Sequence, residues 1–379
     1  MRRQKTAHSQ YILLFLLSTS LILAACGSFL AGTPIPITTA PTVDGSTFPW
    51  LQIYFTDPTA PNARDYEGGP DQALASAIDG ARLSVDVAAY SLNLWSIRDA
   101  LVHAHQRGVV VRMVLESDNM DVVEVQDLKD AGIPILGDQH EGLMHNKFVI
   151  IDRSEVWTGS MNYTVSGAYK DNNNLICIRS AQVARDYTNE FEEMFTHKLF
   201  GPDVISNTPN PTLIKGGTPV PTPTPSLSID GTQVEILFSP DNGVAKRIVE
   251  LVSGAQESIY FMAYAFTSND IGAAVMERAQ AKITVEGVMD GSQITAGQGT
   301  EYDPFKQAGL DVRLDGNATG LMHHKVMIID HQIVITGSYN FTASAETTND
   351  ENVVIIFSPE VAAKYMEEFQ RVYDQALQP

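Results

Sequence analysis

Two short stretches of the chain hold the residues best suited to chemistry. The first contains His145, Lys147 and Asp152, then Gly159, Ser160 and Asn162; the second contains His323, Lys325, Asp330, Gly337, Ser338 and Asn340. Residues two apart on a strand share a face, so a strand over 145–151 presents His145 with Lys147, and its neighbour over 156–162 presents Ser160 with Asn162. Each hairpin then displays an imidazole that titrates near neutrality, an ammonium, a hydroxyl and an amide, beside a glycine where an anion can approach the backbone. These are the groups that a site for binding and transferring a phosphate requires. Asp152 and Asp330 fall at the turns, off the reactive face, and read as turn caps or partners of a basic side chain.

The two stretches are copies. Residues 143–162 and 321–340 share 12 identities in 20 positions without a gap. The register extends upstream, with LQIYFTDP at 51 matching VEILFSPD at 234 and LKDAGIPI at 128 matching FKQAGLDV at 305. A repeat of this length is one structural unit written twice. Apolar periodicity within the first unit predicts helices over 70–80, 95–106, 122–131 and 181–197, and strands over 83–89, 109–115, 145–151, 156–162 and 175–178. Strands alternating with helices around one hairpin predict an α/β fold, each copy a mixed sheet sandwiched by helices.

The ends and the middle of the chain have a different composition. Arg2, Arg3 and Lys5 precede an apolar run from Tyr11 to Ala25, and small residues lead to Cys26. That is the layout of an export signal over 1–26, too short for a stable membrane span. Residues 27–49 and 201–230 are rich in Pro and Thr and read as a tether and an interdomain linker. The folded units are therefore expected over 50–200 and 231–379. The charge is acidic, 25 Lys and Arg against 45 Asp and Glu, a net −20. This disfavours holding nucleic acid by broad phosphate neutralisation, although a local basic groove would still permit it. With Cys26 and Cys177 as the only cysteines, a disulfide scaffold is excluded. The nine histidines have no Cys or acidic partners at zinc-ligand spacing, so no metal or cofactor is expected. His324 should face away from His323 and Lys325. Tyr54, Phe55, Tyr90, Tyr264 and Phe266 read as core.

The pattern His-x-Lys-x4-Asp-x6-Gly-Ser-x-Asn, present twice, resembles the phospholipase D superfamily over nearly all of residues 50–379. The resemblance implies two phospholipase D-like domains paired about a pseudo-two-fold axis, with one active site between them that a single chain completes. It implies a phosphohistidine intermediate: one of His145 and His323 attacks phosphorus, the other protonates the leaving alkoxide and then activates water. Lys147 and Lys325, with Ser160, Asn162, Ser338 and Asn340, would neutralise the phosphate without a metal, and Asp152 and Asp330 complete the motifs. One departure concerns the acidic residue that orients the histidine. The second copy has Glu351, but the matching position of the first is Asn173. His323 with Glu351 is therefore the better-supported pair, and the roles of the two histidines stay open. The Leu23-Ala24-Ala25-Cys26-Gly27 segment resembles the lipobox of bacterial lipoproteins, which implies lipidation at Cys26 and anchoring to an extracytoplasmic membrane face. An ordinary secretory signal with a chance Cys, or a retained anchor, is the other reading. Substrates across the superfamily include phospholipids and nucleic acids. The acidic charge and the expected anchor favour phospholipase D-type hydrolysis of glycerophospholipids; a nonspecific endonuclease, a phosphatidyl transferase and an inactive binding protein are the alternatives.

Overall fold

The structure, a computed structural model, describes residues 48–203, 226–296 and 299–376, all within one compact unit. The expected export signal with Cys26, all but the last two residues of the expected tether, and residues 204–225 of the expected linker lie outside the described residues. No helix among the described residues is long and apolar enough to cross a membrane.

The first copy contributes strands β1 (Leu51–Phe55), β2 (Ser84–Ala89), β3 (Val110–Leu115), β4 (Ile135–Gly137), β5 (Lys147–Ile151), β6 (Glu155–Gly159) and β7 (Asn174–Arg179). They form one sheet in the order β1-β7-β6-β5-β2-β3-β4. The second copy contributes β8 (Leu227–Ile229), β9 (Thr232–Ser239), β10 (Ser258–Ala263), β11 (Thr284–Met289), β12 (Asp311–Leu314), β13 (Lys325–Ile329), β14 (Ile333–Gly337) and β15 (Glu351–Phe357), ordered β12-β11-β10-β13-β14-β15-β9-β8. Each sheet is mixed. The β2–β3–β4 and β10–β11–β12 pairs are parallel, and the hairpin strands and β1 or β9 run antiparallel. Parallel neighbours need a crossover, which the helices Trp95–Gln106 and Asn269–Gln280 supply.

The linker expected over 201–230 is shorter at both ends. Residues Gly201–Asp203 form a 3-10 turn, and Leu227–Ile229 pair with β9, because Ile229 can bury its side chain on the second sheet. The hairpin strands are also shorter than the alternating pattern predicts. His145 precedes β5, where its backbone pairs with Asp350 of the other copy, and Ser160 and Asn162 follow β6.

Helices pack on both faces of each sheet. Trp95–Gln106 and Pro70–Gly80 cover the outer face of the first sheet over Val85, Val87, Met113 and Trp157, and their counterparts cover the second. The closing helices Ala181–Glu192 and Pro359–Gln375 lie between the copies. There Phe148, Val156 and Tyr187 join Val234, Val326, Val354 and Tyr365 in one shared core. At about 1.5–3 kcal/mol for each fully buried large apolar side chain, this shared layer fixes the copies against each other.

Candidate active site

The junction between the copies is held by paired polar contacts that repeat about the pseudo-two-fold axis. Met144 bridges Asp350, and Asn172 bridges Met322. The Met144 and Met322 amides donate to Glu116 Oε2 and Asp290 Oδ2, each at 2.9 Å. Thr158 Oγ1 donates to Asn352 Oδ1 at 2.7 Å, and Thr336 Oγ1 to Asn174 Oδ1 at 3.0 Å. These bonds fix the segments that enter β5 and β13, which carry the two histidines.

His145 Nδ1 lies 2.8 Å from Glu351 Oε2, and His323 Nδ1 lies 2.9 Å from Asn173 Oδ1. The pairing expected from the sequence, His323 with Glu351, is thus overturned: each histidine is oriented by a residue of the other copy. The two-fold arrangement brings the β15 entry of one copy against the β5 entry of the other, a relation invisible to alignment within one copy. A carboxylate only accepts, so His145 carries its hydrogen on Nδ1 and keeps the Nε2 lone pair. Asn173 Nδ2 donates to Gly167 O at 2.9 Å, which turns Oδ1 toward His323 and gives that ring the same tautomer.

The serines do not face the phosphate position. Ser160 Oγ donates to Asn173 Oδ1 at 2.8 Å and accepts from Asn174 N; Ser338 Oγ donates to Glu351 Oε2 at 2.7 Å and accepts from Asn352 N. Both are fully buried. Their hydrogens are committed to the residues that orient the histidines, so they position those residues and do not bind substrate. Gly159 also has a different role from the expected anion approach. At φ 146°, an added Cβ would lie 2.4 Å from Asn174 O, and Gly337 has the same relation to Asn352 O. Asn162 and Asn340 are partly exposed, while their Oδ1 atoms are buried and have no partner among the described residues.

Asp152 and Asp330 sit at the far ends of β5 and β13 from the histidines. Asp152 accepts from the backbone amides of Arg82, Leu83 and Ser84, at 2.6 Å for the shortest; Asp330 does the same for Gln256, Glu257 and Ser258. Each also takes a left-handed conformation, φ 51° and 52°, in the three-residue turn that joins the hairpin strands. They tie the turn to the start of β2 or β10 and do not belong with the catalytic groups.

Two residues read as core belong to the site. Tyr90 packs edge-on to His145 at 5.1 Å between ring centres, and Tyr264 packs on His323 at 4.7 Å. Lys147 Nζ lies over the Tyr90 ring at 5.2 Å and Lys325 Nζ over Tyr264 at 5.0 Å. Their recurrence at the same place in both copies, just past β2 and β10, was the available signal. Phe266 is buried, Tyr54 stacks on Trp157, and Phe55 packs edge-on against Tyr365 and His324. His324 faces away from the site, with Nε2 2.9 Å from Glu368 Oε1.

The site concentrates positive charge out of water. Burial pushes the His145 imidazole down to about 4, and the lysines add to this against the opposing pull of Glu351. Burial likewise brings Lys147 down to about 7. His323 and Lys325 are driven well down by burial and then by the neighbouring lysines. Glu351 is held below the ordinary carboxylate range: burial raises it, but His145, Lys147 and Ser338 outweigh that. Lys147 Nζ donates to His145 O at 2.7 Å; Lys325 Nζ reaches His323 O at 3.0 Å and His323 Nε2 at 3.3 Å. Such a cluster is preorganised for an anion, whose charge relieves the repulsion.

A family profile described as cardiolipin synthase, PLD-like domain, where PLD is phospholipase D, matches residues 74–195 and 248–373. A phospholipase D of Rickettsia prowazekii is 36% identical over 136 residues, 36% of this chain and 65% of that protein. A mitochondrial cardiolipin hydrolase of Chlamydomonas reinhardtii is 33% identical over 128 residues, 34% of this chain and 56% of that one. The aligned stretches thus span less than two thirds of each relative. The crystal structure of phosphatidylserine synthase from Haemophilus influenzae superposes with a TM-score of 0.62 at 14% identity, over 81% of this chain and 84% of that one, a likeness of fold. With both profile matches enclosing a motif, and the motifs meeting at one pocket, the chain belongs to the phospholipase D-like family.

Proposed function

We propose that the protein hydrolyses phosphodiesters through a phosphohistidine, and that its substrates are glycerophospholipids, cleaved to phosphatidic acid and a free headgroup. The observation that carries this reading is the pair of buried histidines, each with Nδ1 bonded across the copies and Nε2 left to react, beside two lysines.

The partners of the histidines differ in charge, and this separates the roles. A histidine that attacks phosphorus becomes cationic for the life of the intermediate. His145, with the Glu351 carboxylate 2.8 Å from Nδ1, has a counter-charge for that state; His323, with the neutral Asn173, does not. His145 is therefore the nucleophile. Its Nε2 lone pair forms the N–P bond while the bond from phosphorus to the headgroup oxygen breaks, and His323 donates its Nε2 proton to that oxygen. A water then gives a proton to His323 and attacks phosphorus, the N–P bond breaks, and phosphatidic acid leaves. His323 needs a proton at the start. The arriving phosphate offsets the lysine charges that push its proton affinity down, so substrate binding and protonation reinforce each other. Lys147 and Lys325, with Asn162 and Asn340, hold the non-bridging oxygens.

The lipid substrate is supported by the relatives named phospholipase D and cardiolipin hydrolase and by the net −20 charge, which opposes polyanion binding. Lipidation at Cys26 belongs to the same proposal, since it would hold the site near headgroups. Its test is palmitate labelling in cells, expected for wild type and lost in Cys26→Ser. For activity, the purified full chain is incubated in EDTA with phosphatidylcholine or cardiolipin vesicles and, in parallel, with single-stranded DNA, alongside His145→Ala and His323→Ala. Phosphatidic acid from wild type and from neither variant is expected. DNA cleavage with intact lipid would refute the substrate assignment, and full activity in both variants would refute the site.

A further inference from the structure

Glu190 and Glu193, at the end of the first closing helix, meet Asp241 of the second copy, with one carboxylate oxygen from each lying within 4.8 Å of the others. Glu190 and Glu193 are buried, 7% and 5% exposed. A fourth acid, Asp350, is 1% exposed; its Oδ1 accepts from Gly201 N at 2.7 Å, and its Oδ2 is buried with no hydrogen-bond partner among the described residues. Asp350 heads the charges that act on Glu190, ahead of Glu193 and Asp241. Burying several carboxylates together is costly, and they are neutralised by protons, by a basic partner or by a coordinated cation.

The second copy shows what belongs at this place. Superposing the repeats puts Glu368 on Glu190, Asn172 on Asp350 and Arg371 on Glu193. There the Arg371 guanidinium bonds Glu368 at 2.6 and 2.8 Å, Asn172 Oδ1 at 2.9 Å and Thr56 O at 3.2 Å, and lies 3.8 Å from Asp57. One copy thus surrounds a built-in cation with oxygens. The other keeps the oxygens, replaces the cation-bearing residue with Glu193 and turns the neutral Asn172 into Asp350.

From this juxtaposition we infer that a calcium ion binds among Glu190, Glu193 and Asp241, with the Asp350 carboxylate as a neighbouring charge, taking the place that Arg371 fills in the other copy. The donors are all hard oxygens, as calcium prefers. Calcium accepts a cage of several protein carboxylates, whereas magnesium keeps several of its waters and binds through one or two carboxylates. The site is not catalytic, but it bears on the active site. Asp350 adjoins Glu351, its carbonyl accepts from His145 N at 3.0 Å, and Asn146 Nδ2 reaches Glu190 Oε1 at 3.4 Å. Bound calcium would brace the copies where His145 meets its carboxylate.

The test uses the purified full chain, stripped with EDTA, then titrated calorimetrically with CaCl2 or MgCl2 and melted in each condition. One calcium per chain is expected, with a melting temperature several degrees above that in EDTA and a weaker response to magnesium. Glu193→Arg with Asp350→Asn, which copies the arrangement of the second repeat, should lose calcium binding and melt at the same temperature with or without EDTA. Should that variant fail to fold, Asp350→Asn alone must weaken calcium binding at least tenfold. No binding by wild type up to about 10 mM, beyond the range of weak protein calcium sites, would overturn the inference. So would unchanged binding in the variants, and an equal response to magnesium would overturn the choice of calcium.

Discussion

Replacing Glu351 by Gln removes one charge from the active site and little else. The amide carbonyl introduced by Glu351→Gln can still accept from His145 Nδ1 and Ser338 Oγ, as Asn173 Oδ1 already does for His323 Nδ1 and Ser160 Oγ in the other copy, and only the long 3.4 Å contact from Asn349 is lost. The fold therefore contains a working precedent for the variant. The rate should still fall. A hydrogen bond to an ionised partner contributes about 1.5–3 kcal/mol and a neutral one about 0.5–1.5, so losing the carboxylate opposite a phosphorylated, cationic His145 costs about 1–2 kcal/mol or somewhat more in this buried setting. At about 1.36 kcal/mol per tenfold, attack on phosphorus slows about 5- to 30-fold or somewhat more. A p-nitrophenyl phosphodiester in stopped flow isolates this step, because its leaving group needs no proton from His323. The burst phase should slow in Glu351→Gln, and mass spectrometry should find the adduct on the His145 peptide, accumulating further in His323→Ala. A Glu351→Gln burst within twofold of wild type, or an adduct on His323, would show that the charge asymmetry does not decide which histidine attacks.

The pH dependence should be bell-shaped, since kcat/KM requires neutral His145, held down at about 4, together with charged Lys147, brought down to about 7, and protonated His323, held well down by burial and the lysines; activity that climbs steadily above pH 8 would contradict the need for these two protons. Lys147→Met should abolish turnover yet raise the melting temperature. Between about 7 and 10.5 the unfolded chain holds a proton at Lys147 that the folded chain has lost, so wild-type stability rises with pH across that window. The gain from Lys147→Met is then on the order of a few kcal/mol below pH 7 and fades toward pH 10; a melting temperature lowered at pH 6 would contradict it. Asp152→Ala leaves three backbone amides without their acceptor and should destabilise by about 1–3 kcal/mol while leaving kcat/KM within threefold, measured by denaturant unfolding and vesicle hydrolysis. Loss of activity without loss of stability would return Asp152 to the reacting groups. Tyr90→Phe should keep most activity and Tyr90→Leu should lose it, because the ring face beside Lys147 Nζ and His145 is the contact, not the hydroxyl.

Much of this is legible in the residues themselves. The repeat locates both units, and apolar period finds the helix Trp95–Gln106 at its observed bounds. The alternation His145-x-Lys147 identifies residues that do share a pocket, although only Lys147 lies on the strand. What spacing cannot show is which copy supplies which partner. Alignment pairs like with like within a copy, whereas a two-fold axis joins each element to its counterpart; hence the inversion of the Glu351 and Asn173 assignments. The serines depart from expectation for a related reason. Spacing establishes that Ser160 and Asn162 are neighbours, but only the amides of Asn174 and Asn352, arriving from the next strand of each sheet, turn the hydroxyls inward.

Duplication explains why the interior of the molecule is so polar and where its asymmetry came from. Two identical copies would present two identical histidines with identical partners, and each could attack or protonate equally well. Changing one orienting residue, Glu at 351 against Asn at 173, gives one histidine a counter-charge and leaves the other without, through a single substitution in a bond that keeps its geometry. The same two-fold relation that carries this difference also places Glu193 opposite Arg371. Once the copies are fused in one chain, each buried pair at their junction is free to diverge, and two that have diverged in charge, Glu351 with Asn173 and Asp350 with Asn172, place their acidic members against the histidine argued to attack phosphorus.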